Sequence, residues 1–191
     1  MKQSALFGDE RIVSSIEGLV YEAGFLWPDE ERRLIEVVES LPLQAAVYKQ
    51  YTARRRVVSY GGSYDFDANR LVPSAPLDER LHHLRKRVAQ WLAIDPEEFV
   101  HVLVAEYAPG TPLGWHRDVP DFETVVGVSL GVTATLRFRP YSEHLPRRVV
   151  RLEVSPRSIY CLTGEARWNW QHAVSPTNGL RWSITFRTKR A

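Results

Sequence analysis

Two histidines and an aspartate in the second half of the chain have the types and spacing of a metal site. One residue separates His116 from Asp118, and His172 follows further along. Residues i and i+2 of a strand point to the same side, so His116 and Asp118 can ligate one ion together. Two imidazoles and one carboxylate occupy one face of octahedral Fe(II) and leave the other face open. This set predicts a non-haem iron centre, although zinc also accepts such ligands.

Two arginines close to the C-terminus could hold an organic anion beside that metal. Arg181 and Arg187 are six residues apart, so on a strand both side chains point to the same face. A buried guanidinium needs an anionic partner, and its planar fork matches a carboxylate. A carboxylate-binding group favours iron over zinc, because zinc cannot activate dioxygen by redox chemistry. For Arg187 alone, a surface arginine in a basic C-terminus is the alternative.

Longer segments around these residues resemble a known family. The segment from Tyr107 to Asp118 reads YAPGTPLGWHRD, the one ending at His172 reads GEARWNWQH, and the C-terminal one reads RWSITFR. Together they resemble the AlkB family of Fe(II)- and 2-oxoglutarate-dependent dioxygenases. The resemblance covers Val100 to Arg187, while the first hundred residues match only loosely.

The resemblance implies a role for each residue of the site. The two histidines and the aspartate would hold Fe(II), and 2-oxoglutarate and dioxygen would take the remaining positions. Arg181 would bind the distal carboxylate of 2-oxoglutarate, and Tyr107 would hydrogen-bond to the same molecule. Arg187 would lie near the co-substrate and the substrate mouth, as part of the catalytic set. The expected reaction is hydroxylation of a substrate C–H bond, coupled to decarboxylation of 2-oxoglutarate.

The chain departs from the family pattern at two positions. An asparagine often found two residues before the tyrosine is Ala105 here, so one hydrogen bond to the co-substrate must be lost or replaced. An acidic residue that helps DNA-repairing members to recognise the damaged base is Pro120, with Asp121 next to it.

An arginine- and aromatic-rich segment at about residues 51–70 predicts a substrate lid. Arginines can clamp phosphates while aromatic rings stack an extruded base. Trp115 and Trp170 flank the expected ligands. The residues predicted to bind substrate are Arg54, Arg55, Arg56, Tyr60, Tyr64, Trp115 and Trp170.

This lid and the resemblance together predict oxidative demethylation of alkylated nucleobases in DNA or RNA. Three alternatives remain at this point. The aromatic hairpin could be core packing. The enzyme could hydroxylate or demethylate a protein or a small molecule. A non-catalytic binding module could also retain the metal site.

Composition is that of an ordinary globular chain. Its 191 residues are 44% hydrophobic and 25% charged, which suits one domain over 18–191 after a mobile tail at 1–17. A net charge of +2 permits nucleic-acid binding without requiring it. There is no membrane-length apolar run and no signal peptide, and the single Cys161 excludes an internal disulfide. We expect a cytoplasmic monomer with no membrane partner.

Element signals favour an α+β, mainly β fold. Apolar stripes predict helices at Trp27–Leu41 and Leu77–Ala93, and Tyr51–Phe66 should form a hairpin turning at Gly61-Gly62. Short strand signals follow at 100–107, 124–130, 133–139, 149–154, 157–162 and 181–187. Many short strands with Gly and Pro turns predict a double-stranded β-helix (jelly roll), with the N-terminal helices as support and the hairpin as lid at about 51–70.

Two further features lie outside this scheme. Gln3–Phe7 resembles the short Q-x-x-L-F peptide with which bacterial repair proteins bind the sliding clamp, and a plain disordered start is the alternative. The remaining histidines, which have no partner in sequence, are expected to be structural or exposed. They are His82, His83, His101 and His144.

Overall fold

The computed structural model describes residues 11–13, 15–48, 51–65, 70–142 and 148–191. Three α-helices lie within these residues: α1 (Pro28–Glu39), α2 (His82–Leu92) and α3 (Gly164–Trp168). The strands of the same residues are β1 (Arg11–Val13), β2 (Leu19–Glu22), β3 (Gln44–Tyr48), β4 (Tyr51–Tyr60), β5 (Gly62–Asp65), β6 (Arg70–Pro73), β7 (Phe99–Tyr107), β8 (Leu113–His116), β9 (Phe122–Gly131), β10 (Ala134–Pro140), β11 (Val150–Val154), β12 (Ser158–Leu162), β13 (Trp170–Val174) and β14 (Arg181–Lys189).

Two antiparallel sheets form the body of the protein. The large sheet has eight strands in the order β1-β2-β12-β9-β14-β7-β4-β3, and the small sheet has four in the order β11-β10-β13-β8. Strands 5 and 6 pair separately as a two-stranded ribbon. Chain neighbours such as β9 and β10 lie in different sheets, as in a jelly roll, so the predicted mainly β architecture is confirmed. No helix in the described part of the chain is long and apolar enough to cross a membrane.

β14 shows how one strand serves both sides of the large sheet. Trp182, Ile184 and Phe186 are buried in the core beneath the helices. The alternate residues, beginning at Arg181 and ending at Arg187, line a cavity between the two sheets. Because successive side chains of a strand point to opposite faces, the apolar set anchors the strand and the polar set faces the cavity.

Capping residues set the starts of α1 and α2, the two helices that support the large sheet. Pro28 opens α1, and the Glu30 carboxylate accepts a hydrogen bond from the Trp27 backbone N–H at 2.7 Å. This agrees with the predicted helix. The second helix starts later than predicted, at His82, because the preceding residues form a 3-10 turn capped by the Asp78 side chain.

The predicted hairpin at Tyr51–Phe66 is wrong for the described residues. β4 pairs with β7 of the large sheet, and β5 pairs with β6 instead of folding back on β4. β4 is paired with β7 along Arg56–Tyr60 and with β3 on its other edge, so its two faces are free to serve the helix core and the cavity. Part of the segment predicted as a mobile tail is ordered, because Arg11–Val13 pairs with β2 and Ile16 is buried.

Gly127 permits a close approach in the large sheet and gives a first testable prediction. A Cβ at this position would collide with the ring and hydroxyl of buried Tyr160 on β12. Gly127→Ala should therefore lower stability by about 1–3 kcal/mol, which corresponds to roughly 2–12 °C in the melting temperature. Gly114→Ala is the matched control, since nothing lies within 4 Å of a Cβ there. Equal melting temperatures for the two variants would contradict this account of Gly127.

Candidate metal and co-substrate site

The structure brings together the three residues predicted as metal ligands. His116 ends β8, Asp118 follows it, and His172 pairs directly with His116 across the small sheet. One ligand atom from each residue lies within 4.8 Å of the others, and the two imidazole centroids are 4.2 Å apart. Two nitrogens and one carboxylate oxygen at this spacing form a donor set that fits Fe(II).

Both histidines are kept in the neutral form that binds a metal. Burial, followed by the nearby His116, lowers the pKa of His172 to about 3. Burial also lowers the pKa of His116. Nδ1 of His116 lies 2.8 Å from the Gly114 carbonyl oxygen, which requires the N–H on that nitrogen. Nε2 of His116 therefore carries the lone pair available to a metal.

Arg187 fixes the charge and orientation of Asp118. Burial opposes ionisation of this carboxyl, but Arg187 and then His172 hold its pKa well below the usual range. Nε and Nη2 of Arg187 approach Oδ1 of Asp118 at 2.8 and 2.7 Å. The other oxygen, Oδ2, lies 3.5 Å from Nε2 of His172. Arg187 thus occupies one carboxylate oxygen and leaves the other directed toward the histidines.

His101 is a site residue that the sequence analysis missed. It is buried, and its Nδ1 accepts a hydrogen bond from Nη1 of Arg187 at 3.1 Å. Burial, reinforced by the charge of Arg187, lowers the pKa of His101 to about 3, so the ring is a neutral acceptor. The sequence could have indicated His101 through strand alternation, since His101 and Tyr107 lie on the same face of β7.

Arg181 lies at the floor of the cavity with unused hydrogen-bonding capacity. Its side chain is 1% exposed, its Nε donates to the Ser129 hydroxyl at 3.2 Å, and its Cζ lies 5.1 Å from the Tyr107 ring centroid. Among the described residues, Nη2 has no hydrogen-bond partner and no carboxylate forms an ion pair with this guanidinium. A buried, unpaired cation requires an anion. The distal carboxylate of 2-oxoglutarate fits this requirement.

Hydroxyl groups complete the walls near Arg181. Ser183 lies opposite Ala105 in the β14–β7 register, and both residues line the cavity. The Ser183 hydroxyl is therefore the candidate replacement for the hydrogen bond that an asparagine at position 105 would make. Tyr160 also lines the cavity. Neither Pro120 nor Asp121 is among the lining residues.

The three arginines of the predicted lid separate onto two faces of β4. Arg55 is buried and lines the cavity. Arg56 forms a bidentate ion pair with Glu106 at 2.7 and 2.8 Å. Arg54, two residues earlier and therefore on the same face of the strand as Arg56, is exposed. Since neighbouring strand residues face opposite sides, only the middle arginine can reach the cavity. Arg54 and Arg56 do not line the cavity, so among these three arginines a substrate contact inside the cavity is expected only of Arg55.

The aromatic residues of the predicted substrate set also divide. Trp115 is among the residues that line the cavity, and its ring packs against Arg137 and Arg139. Tyr60 is buried in the core beneath the helices, and Trp170 is buried in the core between the sheets. Neither lines the cavity, so a substrate contact inside it is expected of neither. Tyr64 falls on β5, and its role stays a prediction. Phe66, His144 and Gln3–Phe7 lie outside the described residues.

A comparison with protein-family models identifies the family that this site indicates. The model of the 2OG-Fe(II) oxygenase superfamily matches residues 23–187. The chain belongs to this superfamily. Its metal-ligand set and carboxylate pocket are those that such an oxygenase needs, and the protein is an Fe(II)- and 2-oxoglutarate-dependent dioxygenase.

Relatives of this oxygenase support the predicted AlkB resemblance. A tRNA (carboxymethyluridine(34)-5-O)-methyltransferase alkbh8 of Xenopus tropicalis is 28% identical over 83% of this chain, which spans 25% of that protein. The Mus musculus ALKBH8 is 23% identical and is covered to 24%. An uncharacterized protein L905 of Acanthamoeba polyphaga mimivirus is 26% identical over 85% of this chain and 80% of its own length. The chain thus spans about a quarter of the ALKBH8 proteins.

A solved structure supports the fold independently. The structure of OsALKBH1 superposes with a TM-score of 0.69 at 17% identity, covering 93% of this oxygenase and 99% of that chain. At this identity the likeness concerns the fold. The AlkB-type jelly roll predicted from the sequence is confirmed.

Proposed function

We propose that this dioxygenase oxidatively removes alkyl groups from nucleobases in DNA or RNA. The observation that carries the proposal is the composition of the cavity above the metal ligands. Its volume is about 480 Å³, and its lining includes Arg55 beside the three metal ligands. A cavity of this size can hold a planar base, and a guanidinium can bind the oxygens of the base or a neighbouring phosphate.

The position of Arg55 supports this assignment. Its positive charge helps to lower the pKa of His116, behind the larger contribution of burial. Arg55 lines the same cavity as His116, Asp118 and His172, so a base bound by its guanidinium would lie in the cavity that holds the metal ligands. The names of two relatives refer to tRNA, which agrees with a nucleic-acid substrate.

The proposed reaction follows from the superfamily's oxidative chemistry. His116, Asp118 and His172 would hold the iron and Arg181 the 2-oxoglutarate, and with dioxygen these would supply the oxidation of a substrate C–H bond to C–OH, with release of succinate and carbon dioxide. If that carbon is an N-methyl group, the hydroxymethyl product loses formaldehyde as the N–C bond breaks, and the nitrogen regains a proton. The residues of this chain contribute by holding the base over the ligands and keeping the carboxylate of 2-oxoglutarate on Arg181.

Formaldehyde release from methylated oligonucleotides tests the proposal. We expect turnover of at least one N-methylated base in single-stranded DNA or RNA, with succinate formed in equal amount. Arg55→Gln should raise KM for the oligonucleotide roughly tenfold, equivalent to about 1.4 kcal/mol of a charge-assisted contact. Arg54→Gln is the matched control on the opposite face and should change KM by less than twofold.

Two results would count against the proposal. One is turnover of 2-oxoglutarate without formaldehyde release from any methylated oligonucleotide, which would point to a protein or small-molecule substrate. The other is an equal effect of the Arg54 and Arg55 variants, which would remove the cavity residue from substrate binding.

A further inference from the structure

The outer face of the small sheet carries arginines and aromatic rings that the site described above does not use. This surface, here named the arginine–aromatic face, lies on the side of the small sheet turned away from the large sheet. Its residues are Trp115, Arg117, Arg137, Arg139, Tyr141 and Arg151.

Strand alternation places these side chains together. On β10, Leu136 and Phe138 are buried between the sheets, so Arg137 and Arg139 point outward. Arg151 of β11 is the direct cross-strand partner of Arg137 and is exposed. Directly paired residues share a face of the sheet, so the guanidiniums project from one surface.

Aromatic rings hold several of these guanidiniums in place. Cζ of Arg139 and of Arg137 lie 4.5 and 5.1 Å from the Trp115 ring centroid. Cζ of Arg117 lies 3.6 Å from the centroid of Tyr141, whose side chain is 54% exposed. A cation–π contact orients a guanidinium and leaves its charge in place. The arginines are therefore positioned while they remain positive.

The carboxylate that shares this face among the described residues, Glu153 of β11, accepts a hydrogen bond from the Thr135 hydroxyl at 2.7 Å instead of pairing with an arginine. Within the part of the chain that the structure describes, none of the four arginines of this face forms an ion pair. The polar contacts of Arg117 and Arg139 are to neutral groups, the Trp168 carbonyl at 2.9 Å and the Gln171 side-chain oxygen at 2.8 Å. Because the net charge of the chain is only +2, this cluster is a local concentration of positive charge.

The face is continuous with the cavity mouth. Trp115 and Arg117 line the cavity and alternate along the chain with the metal ligands His116 and Asp118. A polymer with one unit in the cavity would therefore reach the arginines of β10 directly as it leaves the mouth. An evenly spaced polyanion with stacking bases matches both the charge and the aromatic rings.

We propose that the arginine–aromatic face binds the phosphodiester backbone of the single-stranded segment next to the base in the cavity. This inference rests on the nucleobase substrate proposed above and extends it to the path of the strand. Arg137, Arg139 and Arg151 contact phosphates, and Tyr141 stacks on a neighbouring base. The binding is independent of base sequence, because phosphates carry no sequence information.

Fluorescence anisotropy with an unmodified single-stranded 12-mer, in the DNA and RNA forms, tests the inference without turnover. The variant is Arg137→Gln with Arg139→Gln, which removes two charges and retains most of the side-chain length. We expect affinity at 50 mM salt to fall at least about tenfold, and the slope of log K against log salt to decrease by about 1.4, which is 0.7 for each lost phosphate contact.

The matched control is Arg32→Gln with Arg33→Gln, which changes the net charge equally on exposed positions of α1. Its affinity should stay within twofold of the wild type. Circular dichroism and thermal unfolding check that both double variants fold. Arg151→Gln, at an exposed position, is a second test variant. It should reduce the slope of log K against log salt by about half as much as the double variant does.

The outcomes separate this inference from the proposed function. Unchanged affinity and slope in the β10 double variant and in Arg151→Gln would overturn the inference, even if the wild type demethylates oligonucleotides. Equal losses in the α1 control would also overturn it. Binding of polyglutamate but not of the 12-mer would assign the face to an acidic protein and overturn it. A selective loss in the β10 variant, with no formaldehyde released by the wild type, would support the face and overturn only the proposed reaction.

Discussion

Asp118→Asn should lower the affinity for Fe(II) by more than about a hundredfold. The carboxylate is ionised in the buried site, and one of its oxygens is directed toward the two histidines. Loss of a residue that merely supports a ligand costs about 10–100-fold in metal affinity, so loss of a charged ligand should cost more. The substitution also leaves Arg187 without its anionic partner in a buried position, which destabilises the apo-protein by about 3–5 kcal/mol.

Anaerobic iron titration, with thermal unfolding of the apo-protein, measures both effects. Asp121→Asn is the control, because this neighbouring carboxylate does not line the cavity. It should leave iron affinity and melting temperature unchanged. Wild-type iron affinity in Asp118→Asn would show that the triad is not the metal site.

Arg181→Ala should weaken 2-oxoglutarate binding by at least about a hundredfold while iron binding persists. The guanidinium is buried at the cavity floor, and its Nη2 lacks a hydrogen-bond partner among the described residues. Removing one member of a buried, hydrogen-bonded charge pair costs about 2–5 kcal/mol or more, and each 1.4 kcal/mol is tenfold. Arg181→Lys should recover only part of the affinity, since an ammonium lacks the fork that matches a carboxylate.

The weak visible charge-transfer band of anaerobic protein with Fe(II) and 2-oxoglutarate reports this binding directly. We expect the band in the wild type and its absence in Arg181→Ala at the same 2-oxoglutarate concentration. Ser129→Ala removes only the hydroxyl that accepts from Nε of Arg181 and should reduce affinity less than tenfold. A wild-type titration curve in Arg181→Ala would place the co-substrate carboxylate elsewhere.

The candidate site could be predicted from the sequence to the extent that residue type and short spacing define it. His116 and Asp118 are close in the chain, so their joint role required only one strand end. Arg181 and Arg187 share a strand face for the same reason, and the structure places both in the cavity. Arg181 contacts Ser129 and Arg187 contacts Asp118. These contacts depend on residues far away in the chain and could not be predicted from residue spacing.

The lid shows where sequence reasoning reached its limit. Three consecutive arginines suggested one clamp, yet Arg55 faces the cavity and Arg56 pairs with Glu106. The chain contains no local signal for which face of β4 turns inward, because the pairing partner is β7, about fifty positions away in the register. His101 was overlooked for a related reason, since its partner Arg187 lies on β14.

By itself, the sequence determined the chemistry that is available: two imidazoles, one carboxylate and two same-face guanidiniums, in segments that resemble an iron-dependent oxygenase. Those properties belong to residue types and to the periodicity of a strand, which are local. Only the tertiary structure decided that Arg187 pairs with Asp118 and that Nη2 of Arg181 has no hydrogen-bond partner among the described residues, which leaves its N–H groups for an anion. It also decided that the arginines of β10 and β11 meet on one surface. These facts depend on strand register and sheet order, which are set by packing between residues distant in the chain.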